Sequence, residues 1–283
     1  MIRDSIAPAE YWEKWTMISE ENIAKNLDQI KSPPGNPIYR PQFVLDTCRE
    51  ILRLLLRLYS QGGAISELRS LFPQLLDTWE LSNSLADSVC AEHNVKTCRD
   101  WVFELSNLNH YTWCFWLVGL ALSLKIPDDQ WNRLVHLIGE EGKDILLDQI
   151  IASRQPGRAI GTFLLHEKPY VRLLKAVNET SEQQAILLQQ FVSSWYFELN
   201  RRGKQQLWWY HYGDPEIQPL EKGSYFGRWC IEAVAAVEAF KLDDSLCLGL
   251  PHYPGDLLRP NGPSTHSIQL EKKGRSWLRF FRV

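Results

Sequence analysis

The chain has 283 residues, of which 45% are hydrophobic and 23% are charged, a composition that excludes a disordered protein and supplies a large apolar core. The formal net charge is −3, but residues 271–283 hold five Lys or Arg and one Glu, so residues 1–270 carry −7. Because an acidic body repels phosphate groups, these charges argue against direct binding of nucleic acid.

The first residues of the chain, its longest apolar run and its cysteines predict where the protein resides. The opening residues, Met-Ile-Arg-Asp-Ser, lack the apolar stretch of a secretion signal, so we expect a cytoplasmic protein. The longest apolar run, residues 111–124, is shorter than the roughly 20 residues that span a bilayer, which predicts a buried helix and no membrane partner. The six cysteines are scattered, which favours reduced core thiols over a disulfide framework.

Helical periodicity dominates the first half of the sequence. Apolar residues recur at three-and-four spacing over residues 10–31, which predicts an amphipathic helix. Four prolines and a glycine in residues 32–41 require an irregular connection before a Leu-rich helix over residues 42–60, which ends at Gly62. A third helix is predicted from Ile65, bent or restarted at Pro73.

The second half begins at a break. The sequence Ile-Pro-Asp-Asp at 126–129 predicts an N-cap and a boundary between an N-terminal helical region, 1–126, and a C-terminal one, 127–258. Helices are predicted over 129–140, 143–152, 169–177 and 182–201, the last with a capping box of Thr180 and Gln183. Ser224 is predicted to cap a central helix that is apolar on nearly all sides.

The last 25 residues, 259–283, are predicted to form a basic tail. Within them, residues 267–270 and 276–283 could pair as a short hairpin. The predicted fold class is therefore all-α, a multi-helix bundle of two packed helical regions with a possible short C-terminal β-hairpin.

Catalytic motifs are missing from the sequence. GxSxG, HExxH, P-loop and GxGxxG patterns do not occur, so we predict no catalytic residue and no cofactor. If the protein is instead a helical enzyme, its site centres on Glu232, a carboxylate within the apolar helix. The simpler interpretation is a buried acid held by hydrogen bonds or by an ion pair, with Arg228 one turn earlier as a partner.

A zinc site is the second chemistry that we considered. Cys90, His93, Cys98 and His110 carry suitable donor atoms, but their spacing matches no CxxC pair. We therefore predict no metal site.

Acidic residues cluster in two parts of the second half. They are Asp128, Asp129, Glu140, Glu141 and Asp144, followed later by Asp214, Glu216 and Glu221. Tyr212 lies in an aromatic block, residues 208–212, that leads into the second group. These residues are either a solvated helix surface or a negative face for a basic partner, such as the DNA groove of a nuclease.

Several motifs resemble one known family. They are residues 225–233, 242–245 and 251–257 in the C-terminal half, and 59–62, 65–68 and 72–76 in the N-terminal half. Over residues 1–258 the sequence resembles the PoNe immunity protein (PoNi) family of polymorphic toxin systems, often type VI secretion effectors. The resemblance implies an all-α fold and an intracellular antitoxin that binds and neutralises a cognate DNase toxin of the PD-(D/E)xK type.

The resemblance also suggests roles for particular residues. Its recurring positions are of the kind that fix a fold, and they are Tyr225, Phe226, Gly227, Trp229, Glu232, Asp243, Asp244, Pro251, Tyr253 and Pro254. The sequence departs from the family pattern in the basic residues 272–282 and in Cys230, where a small residue is expected. The tail is therefore expected in the toxin interface or in the contact of a homodimer.

Overall fold

The computed structural model describes residues 1–32, 35–99, 103–203 and 206–266, without the side chain of Tyr212. Within these ranges the backbone forms helices, short 3₁₀ turns and loops, and no strand. The predicted all-α class is therefore confirmed. The predicted hairpin over residues 267–270 and 276–283 lies outside the described residues.

Eleven α-helices lie in the described part of the chain. In order they are α1 (Ala9–Lys31), α2 (Arg40–Gln61), α3 (Ile65–Leu68), α4 (Phe72–His93), α5 (Leu108–Ser123), α6 (Asp128–Ile138), α7 (Ile145–Ala152), α8 (Glu167–Asn178), α9 (Gln183–Glu198), α10 (Trp208–Gly213) and α11 (Ile231–Phe240). Helix α2 packs between α1 and α4, α8 pairs with α9, and α11 packs on α5.

One hydrophobic core holds the helices together. It contains at least one buried side chain from each of the eleven helices. Each fully buried large apolar side chain contributes about 1.5–3 kcal/mol to folding. Side chains from 1–126 and 127–258 thus share one core, and the boundary between these two regions stays a prediction.

The N-terminal helices follow the predicted breaks. Helix α2 ends at Gly62, which adopts φ +98° as the C-cap, a backbone conformation that glycine tolerates best. The chain then forms the single turn α3, and a new helix, α4, starts at Phe72 with Pro73 in its first turn. Because proline lacks an amide proton, it is accommodated at this position, and the predicted restart is confirmed.

Helices α5 and α11 form the centre of the molecule. Every residue of α5 except Asn109 is buried, as predicted for its apolar run. Gly119 allows close approach, since a Cβ there would lie 2.7 Å from Ile231 Cγ2 and 2.8 Å from its carbonyl oxygen. The first seven residues of α11 are also buried, so the predicted central position of this helix is confirmed.

The start of α11 was predicted wrongly. The helix begins at Ile231, and Ser224 does not cap it. Gly227 has φ +102°, and a Cβ there would overlap Trp229 Nε1 and Ser60 Oγ. The non-helical backbone instead lets Trp229 Nε1 donate to Ser60 Oγ at 2.8 Å. Contacts with α2 therefore override the helical pattern in this segment.

Three other local predictions also differ from the structure. The N-cap predicted within residues 126–129 has no side-chain hydrogen bond, because Pro127 occupies that position and the Asp128 carboxylate binds Arg154 at 2.7 Å. The capping box of Thr180 and Gln183 is absent, since α9 begins at Gln183 after an N-cap at Glu182. Helix α10, in the aromatic block, was not predicted.

The cysteines need a further correction. Cys90 and Cys98 form a disulfide with their Cα atoms 5.9 Å apart, whereas Cys48, Cys114, Cys230 and Cys247 are buried free thiols. The sequence analysis predicted six reduced thiols. The left-handed conformation of Asn94, φ +51°, ends α4 and turns the chain back, which brings Cys98 beside the last turn of that helix.

Of the helices in the described part of the chain, none is both long enough and apolar enough to cross a bilayer.

Candidate functional site

The residues of the family-like motif surround the start of α11 and the loop after it. All but Asp243 and Pro251 are buried; they comprise Tyr225, Phe226, Gly227, Trp229, Glu232, Asp243, Asp244, Pro251, Tyr253 and Pro254. The Tyr225 hydroxyl donates to Asp4 Oδ2, and the Tyr253 hydroxyl donates to Asp244 Oδ2, each at 2.5 Å. The first contact ties the C-terminal segment to the N-terminal residues, and the second closes the loop after α11, as a structural role requires.

Glu232 is fully buried in this region. Its Oε1 accepts hydrogen bonds from the Tyr170 hydroxyl and from Trp195 Nε1, each at 3.0 Å. Burial raises the pKa of this carboxyl to about 7, because removal from water disfavours the ionised form. A general acid or base has to lie within hydrogen-bond distance of the substrate atom with which it exchanges a proton. The exposed fraction of Glu232 is 0%, which argues against such a role.

Arg228 does not pair with Glu232, so the predicted partner was wrong. Its guanidinium binds Asp214 Oδ1 at 2.5 Å, because the residue precedes the helix instead of lying one turn inside it. Asp214 also accepts a hydrogen bond from the Tyr196 hydroxyl at 2.9 Å. Asp214 is buried, and its carboxylate is thus engaged inside the fold.

Asp144 likewise has internal partners. Its Oδ1 accepts from the backbone amides of Leu146 and Leu147 and so caps α7. The same oxygen accepts from the Tyr111 hydroxyl, and Oδ2 accepts from the amide of Leu165, at 2.9 and 2.8 Å. Asp144 is buried and connects α5, α7 and the end of the loop before α8.

Asp148, one turn later on α7, binds the same loop. Its Oδ1 accepts from Arg158 Nε at 2.7 Å, and both side chains are 2% exposed. Its Oδ2 accepts from the amide of Gly161 at 3.1 Å. The loop of residues 153–166 is therefore fastened to α7 by two buried carboxylates.

The other acids of the first group lie near this loop. Asp128 and Asp129 are exposed in the first turn of α6, and Glu141 is exposed while accepting from the amide of Ala159. Glu140 is half-buried and accepts from the amide of Leu105 at 2.6 Å. The structure thus brings Asp128 and Glu141 next to residues 153–166, through Arg154 and Ala159.

The second acidic group contacts another part of the fold. Glu216 and Glu221 are exposed, and the backbone amide of Glu216 donates to Asp214 Oδ1 at 2.9 Å. Tyr212 lies within α10. The turn that contains Glu221 precedes Gly223, whose carbonyl accepts from Arg57 at 2.9 Å. The toxin-binding role of both groups stays a prediction.

Two exposed apolar residues were missed by the sequence analysis. Ile160 and Phe163 are 40% and 58% exposed in the loop beside Glu141. The signal was an uncharged stretch, residues 159–165, between two segments predicted as helices.

A solved structure has the same fold as this chain. Protein PA2201 from Pseudomonas aeruginosa matches with a TM-score of 0.63 and 20% identity, over 88% of this chain and 87% of that one. At this identity the match supports the fold alone. No curated protein matches the sequence.

Two family models together match most of the chain. The model of the PoNe immunity protein (PoNi) N-terminal part matches residues 3–136, and that of the C-terminal part matches residues 142–257. These ranges contain both halves of the motif whose resemblance was noted in the sequence. The chain therefore belongs to the PoNe immunity protein (PoNi) family and is an immunity protein directed against a toxin.

Proposed function

We propose that this protein binds a DNase toxin in the cytoplasm of its own cell and holds it in an inactive one-to-one complex. The observation that carries the DNase assignment is the net charge of −7 on residues 1–270. A DNase has to attract a polyanion, so its cleft is basic, and an acidic protein complements that cleft. Binding would cover the active cleft or prevent DNA entry; delivery of the toxin by type VI secretion follows from the family resemblance.

The distribution of charge supports this proposal. Many arginines are neutralised by internal pairing: Arg3 with Asp256, Arg57 with Glu50, Arg133 with Glu80, Arg154 with Asp128, Arg158 with Asp148, Arg228 with Asp214, and Arg259 with Asp244. In the described part of the chain, Asp129, Glu141, Glu216 and Glu221 form no such pair. These exposed carboxylates are available to a basic partner.

The packing of the helices supports inhibition by binding. All eleven helices contribute to one core, so the surface is formed before the toxin arrives. A preformed surface loses little conformational entropy on association, which favours a long-lived complex.

The test is an inhibition titration with the toxin whose reading frame neighbours that of this chain. We expect DNase activity to fall linearly and reach zero at one molar equivalent, independent of preincubation time. An unrelated DNase, titrated in parallel, should keep its activity. Absence of inhibition at a tenfold molar excess would refute the proposal.

The same titration separates a binder from the alternative of an enzyme with a site at Glu232. An enzyme that modifies the toxin would inactivate many equivalents, and the loss would grow with time. The burial of Glu232 among Tyr170, Trp195 and other core side chains supports the binder.

A further inference from the structure

We propose that a cavity between α1, α2, α10 and the turn at residues 220–224, here named the junction cavity, binds a phosphate monoester with an apolar organic part. The cavity has a volume of about 360 Å³, which is the size of a small-molecule site. It lies where the N-terminal helices meet the C-terminal half of the chain. This inference goes beyond the proposed function and does not depend on a toxin.

The charged side chains that line the junction cavity leave a positive excess. They are three cations and one carboxylate, a net charge of +2: Arg53, Arg57, Lys222 and Glu50. Two further charges lie close by and cancel, since Lys14 Nζ lies 5.1 Å from the ring centroid of Trp15 and Glu221 adjoins Lys222 in sequence. A phosphate monoester carries nearly two negative charges at neutral pH, so it would neutralise this excess.

Arg53, which lines the cavity, has an unused donor. Its Nη1 donates to Glu50 Oε2 at 3.1 Å, and its Cζ lies 4.5 Å from the ring centroid of Trp208. Neither its Nη2 nor its buried Nε has a hydrogen-bond partner among the described residues. Burial lowers the pKa of this guanidinium, and the positive charge of Arg57 adds to the effect. A bound anion would oppose both effects and accept from the free Nη2.

Arg57 holds the walls of the cavity in place before any ligand binds. Its side chain is 5% exposed, and its Nη1 donates to Ser19 Oγ on α1 and to Glu50 Oε1 on α2. Its Nη2 donates to the carbonyl of Gly223 at 2.9 Å. Gly223 has φ +69°, and a Cβ there would overlap the ring of Trp15, so the turn lies directly against α1. A cavity fixed in this way loses little conformational entropy when it binds a ligand.

The rest of the lining indicates what accompanies the phosphate group. Asn22 and Ser224 line the cavity, and their side chains form no hydrogen bond with another described residue, so they are free to donate. Apolar surface comes from Trp15, Ile18 and Trp208. A bare phosphate ion would use the donors and leave this apolar surface in water. An apolar organic part should therefore add affinity by covering it.

The test is a calorimetric titration of the full chain with phenyl phosphate. We expect saturable binding at one site, weaker binding of inorganic phosphate and no saturable binding of phenol. Benzoate, which carries a single negative charge, should also bind more weakly than phenyl phosphate. Phenyl phosphate should raise the melting temperature, because it binds the folded state.

Two variants and a matched control locate the site. Arg53→Gln should weaken the binding of phenyl phosphate by about tenfold, since it removes a charged donor. The control is Arg133→Gln, because the Arg133 side chain is also 32% exposed but is bound by Asp77 and Glu80 on α4. This control should bind like the wild type. Lys222→Gln, at an exposed position, should weaken binding by about threefold without disturbing the core.

Each contrary outcome overturns a stated part of the inference. Absence of saturable binding of phenyl phosphate to the wild type would refute the site. An equal loss for Arg53→Gln and Arg133→Gln would show that net charge, and not the junction cavity, attracts the anion. Inorganic phosphate or benzoate that binds as tightly as phenyl phosphate would refute the assignment of a phosphate monoester. The proposed function is unaffected by these results, because the inhibition titration tests it separately.

Discussion

At the scale of single residues, burial decides which acids are available for binding. Asp144 and Asp214 belong to the acidic clusters of the sequence, but in the fold they cap a helix and pair with Arg228, respectively. Charge counted along a sequence does not reveal burial, because burial depends on tertiary packing. Exposed acids such as Glu216 and Glu221 therefore carry the binding proposal.

Glu232 provides the prediction at this scale. Its pKa is raised to about 7 by burial, while the unfolded chain ionises near pH 4.5. Below pH 4.5 the Glu232 carboxyl is protonated in both the folded and the unfolded protein. As the pH rises from 4.5 towards 7, this carboxyl ionises in the unfolded protein first, which lowers the free energy of unfolding. We expect Glu232→Gln, which cannot ionise, to gain roughly 3 kcal/mol of unfolding free energy relative to wild type between pH 4.5 and pH 8.

Urea unfolding of both proteins at pH 4.5 and pH 8 measures this difference. An equal difference at the two values would show that the carboxyl titrates normally in the fold. The same variant tests function, since a binder with Glu232→Gln should still inhibit the toxin. A folded variant that no longer inhibits it would favour the enzyme.

At the scale of elements, the sequence predicted helices well where periodicity was long. The amphipathic α1, the Leu-rich α2 and the apolar α5 are confirmed within a few residues of their predicted ends. The predicted start of α11 was wrong because contacts with Ser60, which is distant in sequence, hold Gly227 and Trp229 in a non-helical conformation. The position of the loop over residues 153–166 could not be predicted, because Asp148, Arg158 and Gly161, which fasten it, meet only in the fold.

The contact between α5 and α11 gives the prediction for elements. In an exposed helix, Gly→Ala would stabilise by about 1 kcal/mol. At Gly119 the added Cβ would lie 2.8 Å from the carbonyl oxygen of Ile231, and we expect the clash to reverse the sign. Gly119→Ala should lose about 1–2 kcal/mol of unfolding free energy.

Gly213→Ala is the control for this substitution. A Cβ at Gly213, the last residue of α10, would lie no closer than 3.8 Å to its neighbours. Urea unfolding should show no loss for this variant. If Gly119→Ala is as stable as the wild type, α5 and α11 can move apart to accommodate the methyl group without loss of unfolding free energy. The close approach would then not be needed for stability.

At the scale of the whole molecule, the N-terminal segment is joined to the C-terminal half. Arg3 binds Asp256 at 2.7 Å, and Asp4 accepts from the Tyr225 hydroxyl. With one core shared by all helices, a partner meets a single body whose surface charges act together. The direction of its electric field therefore depends on where the exposed acids lie on that body.

The final prediction concerns this field. Glu216→Lys with Glu221→Lys should slow association with the neighbouring toxin by roughly tenfold at low ionic strength, with a smaller effect at high salt. Asp214 is left unchanged, because breaking its buried pair with Arg228 would destabilise the fold. Glu13→Lys with Glu20→Lys, at exposed positions of α1, makes the same change in net charge. Stopped-flow association rates that fall equally for both pairs would show that total charge, and not the position of Glu216 and Glu221, steers the encounter.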